Sequence, residues 1–426
     1  MKRGLLRGSP GIFIALRYLL GRAHEGGRYL QGAAIGIAVS LIPIVVTLIV
    51  ADGMIRGITD RYLEMGTGHL EVYDYTNPDA LEASVETIAG MEGVKGVWPE
   101  RHGLGVLVSE KGKVGANVRA VEPSFWTSGG AERFLVTLEG SPALENDREV
   151  LLGEALAGSI GAKVNDTVRI MTVRTGNDGR IIPRLTPFTV KGIVSSGYRE
   201  LDALWCIMSY TMGKRLLSDE FSYSYLMVKI DDPYTKADEW AGLLSRTLGS
   251  GFGVYTWKEL QRSQYSSYES TRQLLVLIMA LIVIIAAVNV SSATAMLAIE
   301  RRRDMAVLKA FGASPGGAAR IFLWGSLLTG ITGAVGGISL GLIIGSSINR
   351  IIQGLERVLS FFSRLAGGGG IRILDPGYYL EEIPIVIDWN AIAAIGVFAV
   401  LCSVIASWLP SRRAGRVPPV ELLRKY

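Results

Sequence analysis

The chain has 426 residues, 49% of them hydrophobic and 19% charged, with a mean hydropathy of +0.32. This balance fits a polypeptide that is part membrane and part soluble, rather than a bare bundle of membrane helices. The net charge of +5 comes from basic residues gathered in a few segments, and it gives no support for nucleic-acid binding.

In chain order, residues 1–31 hold Lys2, Arg3, Arg7, Arg17, Arg22 and Arg28. Within them, residues 11–22 mix apolar positions with Arg17 and Arg22. They read either as an interfacial helix lying on the inner leaflet or as an extension of the first span. Residues 32–51 are apolar and about 20 long, enough to cross a hydrocarbon core of about 30 Å. They read as an uncleaved anchor, kinked at Pro43, with Gly32 and Gly36 on one face.

Residues 52–272 read as a mixed α and β domain. Alternating runs at 69–73, 105–109 and 114–121 are expected strands. Two β-rich runs, 167–173 and 188–194, flank Gly176-Asn177-Asp178-Gly179, which predicts a hairpin. Pro183 and Pro187 place its loop, 174–187, clear of any sheet, because proline cannot donate to a ladder. On residues alone this is a solvated surface hairpin. Residues 257–272 are polar and helix-compatible, and run without a breaker into a second span at 273–299.

A loop at 300–318 follows, then a third span at 319–348, a connection at 349–388, a fourth span at 389–409 and a tail at 410–426. The third span carries Gly333, Gly337, Gly341 and Gly345, spaced by four and so on one helix face, where another backbone can approach. Trp389 and Trp408 bracket the fourth span as interfacial residues do. Arg301, Arg302, Arg303, Lys309 and Arg320 lie between the second and third spans, and Arg412, Arg413, Arg416, Arg424 and Lys425 lie in the tail. Acidic residues offset the arginines of 349–388. The basic excess therefore places both termini and the 300–318 loop in the cytoplasm, and the large domain outside.

No ionisable residue lies deep in a span; the polar exceptions include Asn289, Ser291, Ser292 and Thr294. That argues against an ion-coupled carrier or a selective channel. There is no phosphate-binding glycine loop, since Gly367–Gly370 lacks the lysine and reads as a flexible loop. His24, His69 and His102 have no ligand spacing, so no metal site is expected. Cys206 and Cys402 read as ordinary buried thiols, and nothing points to catalysis.

Residues 298–314 form a short amphipathic segment ended by Gly312. Glu300, Arg302, Leu308, Lys309, Ala310, Gly312 and Ala313 resemble the cytoplasmic coupling segment of the FtsX/MacB/LolC-type ABC permeases. The tail from Pro410, with Ala414, Pro419, Val420, Glu421, Leu423 and Arg424, is similar to that superfamily's closing motif. Phe13 to Tyr18, the run from Val150 to Ala157, Gly161 with Asp166, and Tyr378 with Pro384 resemble the LolC/LolE branch in particular. Ala51-Asp52-Gly53-Met54 and Asn165 depart from its usual residues.

The resemblance implies an α-helical integral membrane protein with four transmembrane helices and a large mixed α/β periplasmic domain between the first and second. It implies a multi-pass protein of the bacterial inner membrane that extracts lipoproteins by mechanotransmission. Its expected partners are a cytoplasmic ABC ATPase dimer, a second permease subunit, a periplasmic lipoprotein carrier, the lipoprotein substrates and the lipid bilayer. No cofactor is expected on this chain; ATP and Mg belong to the partner ATPase. In this scheme Glu300, Arg301, Arg302, Arg303, Asp304, Lys309 and Gly312 belong to the ATPase-coupling loop, and Met305, Leu308 and Phe311 fill an ATPase groove. Arg174, Arg180, Pro183, Arg184 and Pro187 are candidates for docking the carrier. The rival readings are a MacB-like efflux permease and an FtsX-like signalling subunit that regulates cell-wall hydrolases.

Overall fold

The computed structural model describes residues 26–127, 131–175, 179–365 and 382–416. The expected interfacial segment 11–22, the Gly367–Gly370 run, Tyr378 and the last ten residues of the tail lie outside them. The chain divides into two compact units, one built from residues 1–53, 268–354 and 383–426, the other from 54–267 and 355–382.

The first unit is helical. Helices α1 (Gly26–Arg61), α2 (Arg262–Glu300), α3 (Arg302–Ala310), α4 (Pro315–Ser346), α5 (Ile348–Leu365) and α6 (Trp389–Arg416) supply it, in whole or in part. Four of these, α1, α2, α4 and α6, are long and apolar enough to cross a membrane. Their core gathers Ile37, Leu41, Val45 and Ile49 of α1 with Met279, Val283 and Val290 of α2 and with Ala334, Ile392 and Ala399. The α1 residues recur every four positions, so they form one stripe of the helix.

The glycine ladder of α4 faces that stripe. A Cβ on Gly333 would fall 2.7 Å from Ala34 O, and one on Gly337 2.8 Å from Ala38 O and Leu41 Cβ. At Gly341 it would meet Val45 Cβ at 2.7 Å, and at Gly345 Ile49 Cδ1 at 2.6 Å. Contacts this short leave no room for a side chain at Gly333, Gly337 or Gly341, so the backbone of α4 lies directly on α1 there, while at Gly345 only the movable tip of Ile49 would be met. Gly32 and Gly36 meet nothing within 4 Å. Neither glycine therefore packs closely against another helix among the described residues of this chain.

The second unit is a ten-stranded sheet: β1 (Leu70–Asp74), β2 (Val94–Val108), β3 (Lys113–Val121), β4 (Val136–Gly140), β5 (Glu149–Gly153), β6 (Thr167–Thr175), β7 (Ile181–Ser195), β8 (Trp205–Ser209), β9 (Ser222–Ile230) and β10 (Phe252–Thr256). The order is β10-β1-β9-β2-β3-β8-β5-β7-β4, and β6 joins β2 to β7. Strands β2, β3, β8, β5, β7 and β6 thus close a hydrogen-bonded ring. Alternate residues of its strands, such as Val118 and Ala120, Val168 and Ile170, and Phe188 and Val190, fill one core with Leu152, Leu156 and Met208. A second core lies where β1, β9 and β2 pack on the helices Ser84–Ala89 and Ala237–Leu248, through Val72, Val228, Ile88 and Leu244.

Two expectations are corrected here. Most of the 174–187 segment is strand: Pro183 pairs with Val173 and Pro187 with Arg169 inside the β6–β7 ladder, while residues 176–178 of the expected turn lie outside the described residues. The Val190 amide donates toward the β6 side, to Asp166 O at 3.0 Å, whereas the Thr189 amide donates the other way, to Arg148 O at 2.9 Å. Amide direction alternates along a strand, so positions 183 and 187, which share the parity of 189, face away from β6. β5 pairs with β7 only from Thr189 onward, so the missing proline donors fall on an unpaired edge. The polar helix before the second span is also interrupted. A single turn, Trp257–Leu260, is opened by a capping box between Thr256 and Glu259 and ends at Gln261, which leaves helical geometry, and α2 starts afresh at Arg262.

Candidate functional site

The coupling turn is built by two helix ends and one short helix. α2 stops at Glu300, where Arg301 leaves helical geometry with ψ near 19°, and α3 begins at the next residue. α3 ends in a Schellman motif. Gly312 has φ +93°, its amide donates to Lys309 O at 2.9 Å, and the Ala313 amide donates to Leu308 O at 3.0 Å. Two residues later Ser314 caps α4, accepting from the Gly317 amide at 3.0 Å, with Pro315 as the first residue of the helix. Start and stop signals at both ends therefore fix a nine-residue helix between two span-length ones.

α3 has an inner and an outer side. Met305 is 4% exposed and joins a cluster of Leu30, Leu297, Ala298, Ile321 and Phe322, with Leu308 packed against it. Arg301 reaches Asp304 at 3.2 Å across the start of the helix. On the other side Arg303, Val307 and Ala310 are exposed, and Phe311 is 86% exposed. The expectation that Met305, Leu308 and Phe311 share one partner-facing side is corrected: the first two anchor the turn to its own helices, and only Phe311 projects. The spacing of four from Arg303 through Val307 to Phe311 carries the outer stripe, and Val307 belongs to it. Glu300 has a buried Oε2 with no hydrogen-bond partner among the described residues, and the Arg302 side chain lies outside them.

Above the Met305 cluster, Thr294 Oγ1 of α2 lies 2.9 Å from Ser326 Oγ of α4 and 3.3 Å from Ser407 Oγ of α6. All three side chains are fully buried. One hydroxyl from each helix thus meets at a single point, which fixes their rotational register. At the far end, Arg272 of α2 binds Asp52 of α1 at 3.0 Å and Asp388, just before α6, at 2.9 Å.

In the sheet unit the hairpin residues Arg174, Arg180, Pro183, Arg184 and Pro187 are all exposed, beside Ile181, Ile182 and Leu185. Arg184 donates to Arg215 O at 3.2 Å, and Ser218 donates to Val173 O at 3.3 Å, tying the hairpin to its neighbours. A buried charged network, which sequence patterns do not reveal, lies elsewhere in the sheet. Arg119 on β3 binds both oxygens of Glu100 on β2, at 2.6 and 3.1 Å, and donates to Met65 O at 2.5 Å and Gly66 O at 3.2 Å. Lys229 donates to Glu64 O at 2.8 Å and to its carboxylate at 2.9 Å. Burial alone would raise the Glu100 carboxyl, but Arg119 and His102 outweigh it and hold it at about 2. Burial pushes Glu71 up to about 8, against the hydrogen bond from Tyr73 and with the help of the Glu100 charge. Both cysteines are free, and burial pushes the Cys206 thiol up to about 12. No cluster of metal-ligating side chains occurs among the described residues.

Two families are matched along the chain. The MacB-like periplasmic core domain covers residues 32–238, and the FtsX-like permease C-terminal domain covers residues 276–419. The lipoprotein-releasing system transmembrane protein LolC of Neisseria meningitidis serogroup B is 26% identical over 425 residues, 97% of this chain and 98% of that protein. LolC of Xylella fastidiosa is 26% identical with the same coverage, and LolE of Haemophilus influenzae is 23% identical over 97% of this chain and 99% of its own length. With a MacB-like periplasmic core domain followed by an FtsX-like permease C-terminal domain, and with LolC and LolE matched over 97% of its length, the chain resembles the LolC/LolE-type ABC transporter permeases from end to end.

Proposed function

We propose that this chain is the membrane subunit of an ATP-driven machine that extracts lipoproteins from a bacterial inner membrane and passes them to a periplasmic carrier. End-to-end similarity to LolC and LolE, 97% of the chain, carries this reading. The chain is a permease subunit and not itself an enzyme. ATP and Mg bind a separate ATPase dimer, and a second permease subunit, identical or related, completes the complex. α1, α2, α4 and α6 span the membrane with α3 on the cytoplasmic side and the sheet unit in the periplasm, the orientation in which the basic segments face the cytoplasm.

The ATPase engages the outer stripe of α3, where Phe311 and Val307 enter an apolar groove and Arg303 and Lys309 make polar contacts. Met305 passes the push into α2 and α4, because it packs on Leu297 and Phe322 of those helices. The bilayer holds an acyl chain by about 0.8 kcal/mol per CH₂, so an uncharged apolar groove offsets most of the cost of withdrawing a multiply acylated anchor and ATP supplies the remainder. The exposed apolar edge of the β6–β7 hairpin, with Pro183, Leu185 and Pro187, is the surface offered to the carrier.

The test is reconstitution. The chain, its ATPase and its second permease in proteoliposomes should transfer a fluorescent lipoprotein to a soluble carrier only with hydrolysable ATP. ATP-independent transfer, or none with an active ATPase, would reject the reading. The MacB-like match over 32–238 favours efflux as the second reading. Export of a soluble peptide or glycolipid without any carrier would select it.

A further inference from the structure

The connection after α4 contains a helix that no motif announced. α5, INRIIQGLERVLSFFSRL, begins two residues after α4 ends, with only Ser347 between them. Its first turn is held at the helix-bundle end. The Asn349 carboxamide donates to Ile383 O at 3.0 Å and accepts from the Ile383 amide at 3.2 Å.

At 100° per residue, Ile351, Leu355, Val358, Phe362 and Leu365 fall on one face. Arg350, Arg357 and Arg364 recur every seven residues and so run along one seam beside it, drifting about 20° per repeat. Glu356 is the only acidic residue of the helix. None of its residues is buried, and Phe361, Phe362 and Leu365 are 62%, 63% and 70% exposed. Eighteen residues present this face, about 27 Å of helix at 1.5 Å per residue.

We infer that α5 lies in the headgroup region of the bilayer leaflet at the Ser346 end of α4, with its apolar face on the acyl chains and its arginine seam on anionic phosphates. Three observations select lipid as the occupant. The helix starts where a span-length helix stops, so its first turn is already at the membrane surface. Its apolar face is itself open, with Leu355, Val358, Phe362 and Leu365 49%, 51%, 63% and 70% exposed. Its charge, three arginines against one glutamate, is complementary to phosphatidylglycerol or cardiolipin. A helix so placed displaces headgroups beside the bundle and loosens acyl packing there, which lowers the cost of drawing a lipid anchor out of that leaflet. The inference rests on the reading of α2 and α4 as membrane spans.

The test uses the full-length protein in liposomes of phosphatidylethanolamine and phosphatidylglycerol, with nitroxides on single cysteines. Cys402 is replaced by alanine, while Cys206 is fully buried and does not label. Ile351→Cys, Leu355→Cys, Val358→Cys and Phe362→Cys should collide with oxygen several-fold more than with a water-soluble nickel chelate. Gln353→Cys and Arg357→Cys should show the reverse. Omitting phosphatidylglycerol should lower the oxygen-to-nickel ratio at 358 and 362 about two-fold. Nickel access at all six positions would overturn the inference, as would labels on the apolar face that are shielded from both reagents by protein. A ratio indifferent to anionic lipid would overturn the role of the arginine seam. Ile285→Cys and Val335→Cys, on exposed faces of α2 and α4, report the spans themselves. If they favour oxygen while α5 favours nickel, α5 alone fails; if they favour nickel, the spanning assignment fails and α5 with it.

Discussion

Arg272 and Asp388 form an ion pair of 2.9 Å, and the same guanidinium holds Asp52 at 3.0 Å. One side chain of α2 thereby ties α1 and the start of α6 at one end of the bundle. The Asp388 carboxylate also caps α6, accepting from the amides of Asn390 and Ala391 at 3.0 Å each. Arg272 is partly exposed, so the pair is expected to contribute about 1 kcal/mol or less. Arg272→Met should lower the Tm of the detergent-solubilised protein by a few degrees. In a double-mutant cycle, Arg272→Met and Asp388→Asn should combine less than additively. Strict additivity would show that the pair contributes nothing.

The glycine ladder predicts a sharp contrast between two small substitutions. Gly337→Ala places a Cβ 2.8 Å from Ala38 O, and the helices must separate to admit it. Overpacking of this kind costs about 1–3 kcal/mol. Gly36→Ala, with nothing within 4 Å, should be neutral for the chain alone. Thermal unfolding in detergent compares the two, and equal Tm values would remove the case for close packing. Gly337→Leu should go further and abolish assembly, read as loss of the intact complex on size exclusion.

Met305 within α3 and Phe311 just past its end lie six residues apart and should fail in different ways. Met305→Ala opens a cavity among Leu297, Ile321 and Phe322 and should cost about 2–5 kcal/mol of stability. Phe311→Ala removes an exposed ring and should leave Tm unchanged while reducing co-purification of the ATPase at least ten-fold, the loss expected of an interface anchor worth about 2 kcal/mol. Undiminished co-purification of Phe311→Ala would exclude the outer stripe as the docking side. The paired change Val307→Asp with Lys309→Glu, which leaves the inward Met305 and Leu308 in place, should abolish association altogether.

The pH dependence of the sheet unit has two limbs of opposite sign. Glu100 titrates at about 2 when folded, below its usual 4.5, so its contribution is present above 4.5 and is lost as pH falls toward 2. Glu71 titrates at about 8 when folded against 4.5 when unfolded, so the folded state holds the extra proton between those values. Stability from Glu71 therefore falls as pH rises from 4.5 to 8 and is constant above. Glu71→Gln should flatten that alkaline limb, gaining on the order of 2–4 kcal/mol at pH 8 relative to wild type and little at pH 5. Denaturant unfolding of the full chain followed by tryptophan fluorescence measures it. An unaltered slope between pH 5 and 8 would assign the dependence to other groups.

Local patterning made much of this protein legible before any coordinates. The apolar stretches, the Gly312 stop and the pairing of β6 with β7 each depend on residues close together in sequence. The four-residue spacing of Gly333 to Gly345 does too. Side-chain direction at the coupling turn was less legible. Met305, Leu308 and Phe311 look equivalent by period, yet Phe311 falls after the last helical residue, Ala310, and points elsewhere. The prolines of β7 misled because the rule against proline in strands concerns donors facing a partner, and neither Pro183 nor Pro187 has a partner on that side. α5 was hidden by counting charge across 349–388 as a sum, when the order of Arg350, Arg357 and Arg364 holds the information. The Arg119–Glu100 pair, 19 residues apart on adjacent strands, needs the β2–β3 register to appear at all.

Arg119 is also the residue on which the end of α1 hangs. Its guanidinium grips Met65 O and Gly66 O, carbonyls left without helical partners where the chain leaves α1, while Lys229 grips Glu64 O beside them. A twist of that terminal turn by one residue would shift these carbonyls by about 1.5 Å along the axis and strand two buried cations. The turn Tyr62–Gly66 and the strands carrying Arg119 and Lys229, all within the sheet unit, must therefore move as one piece.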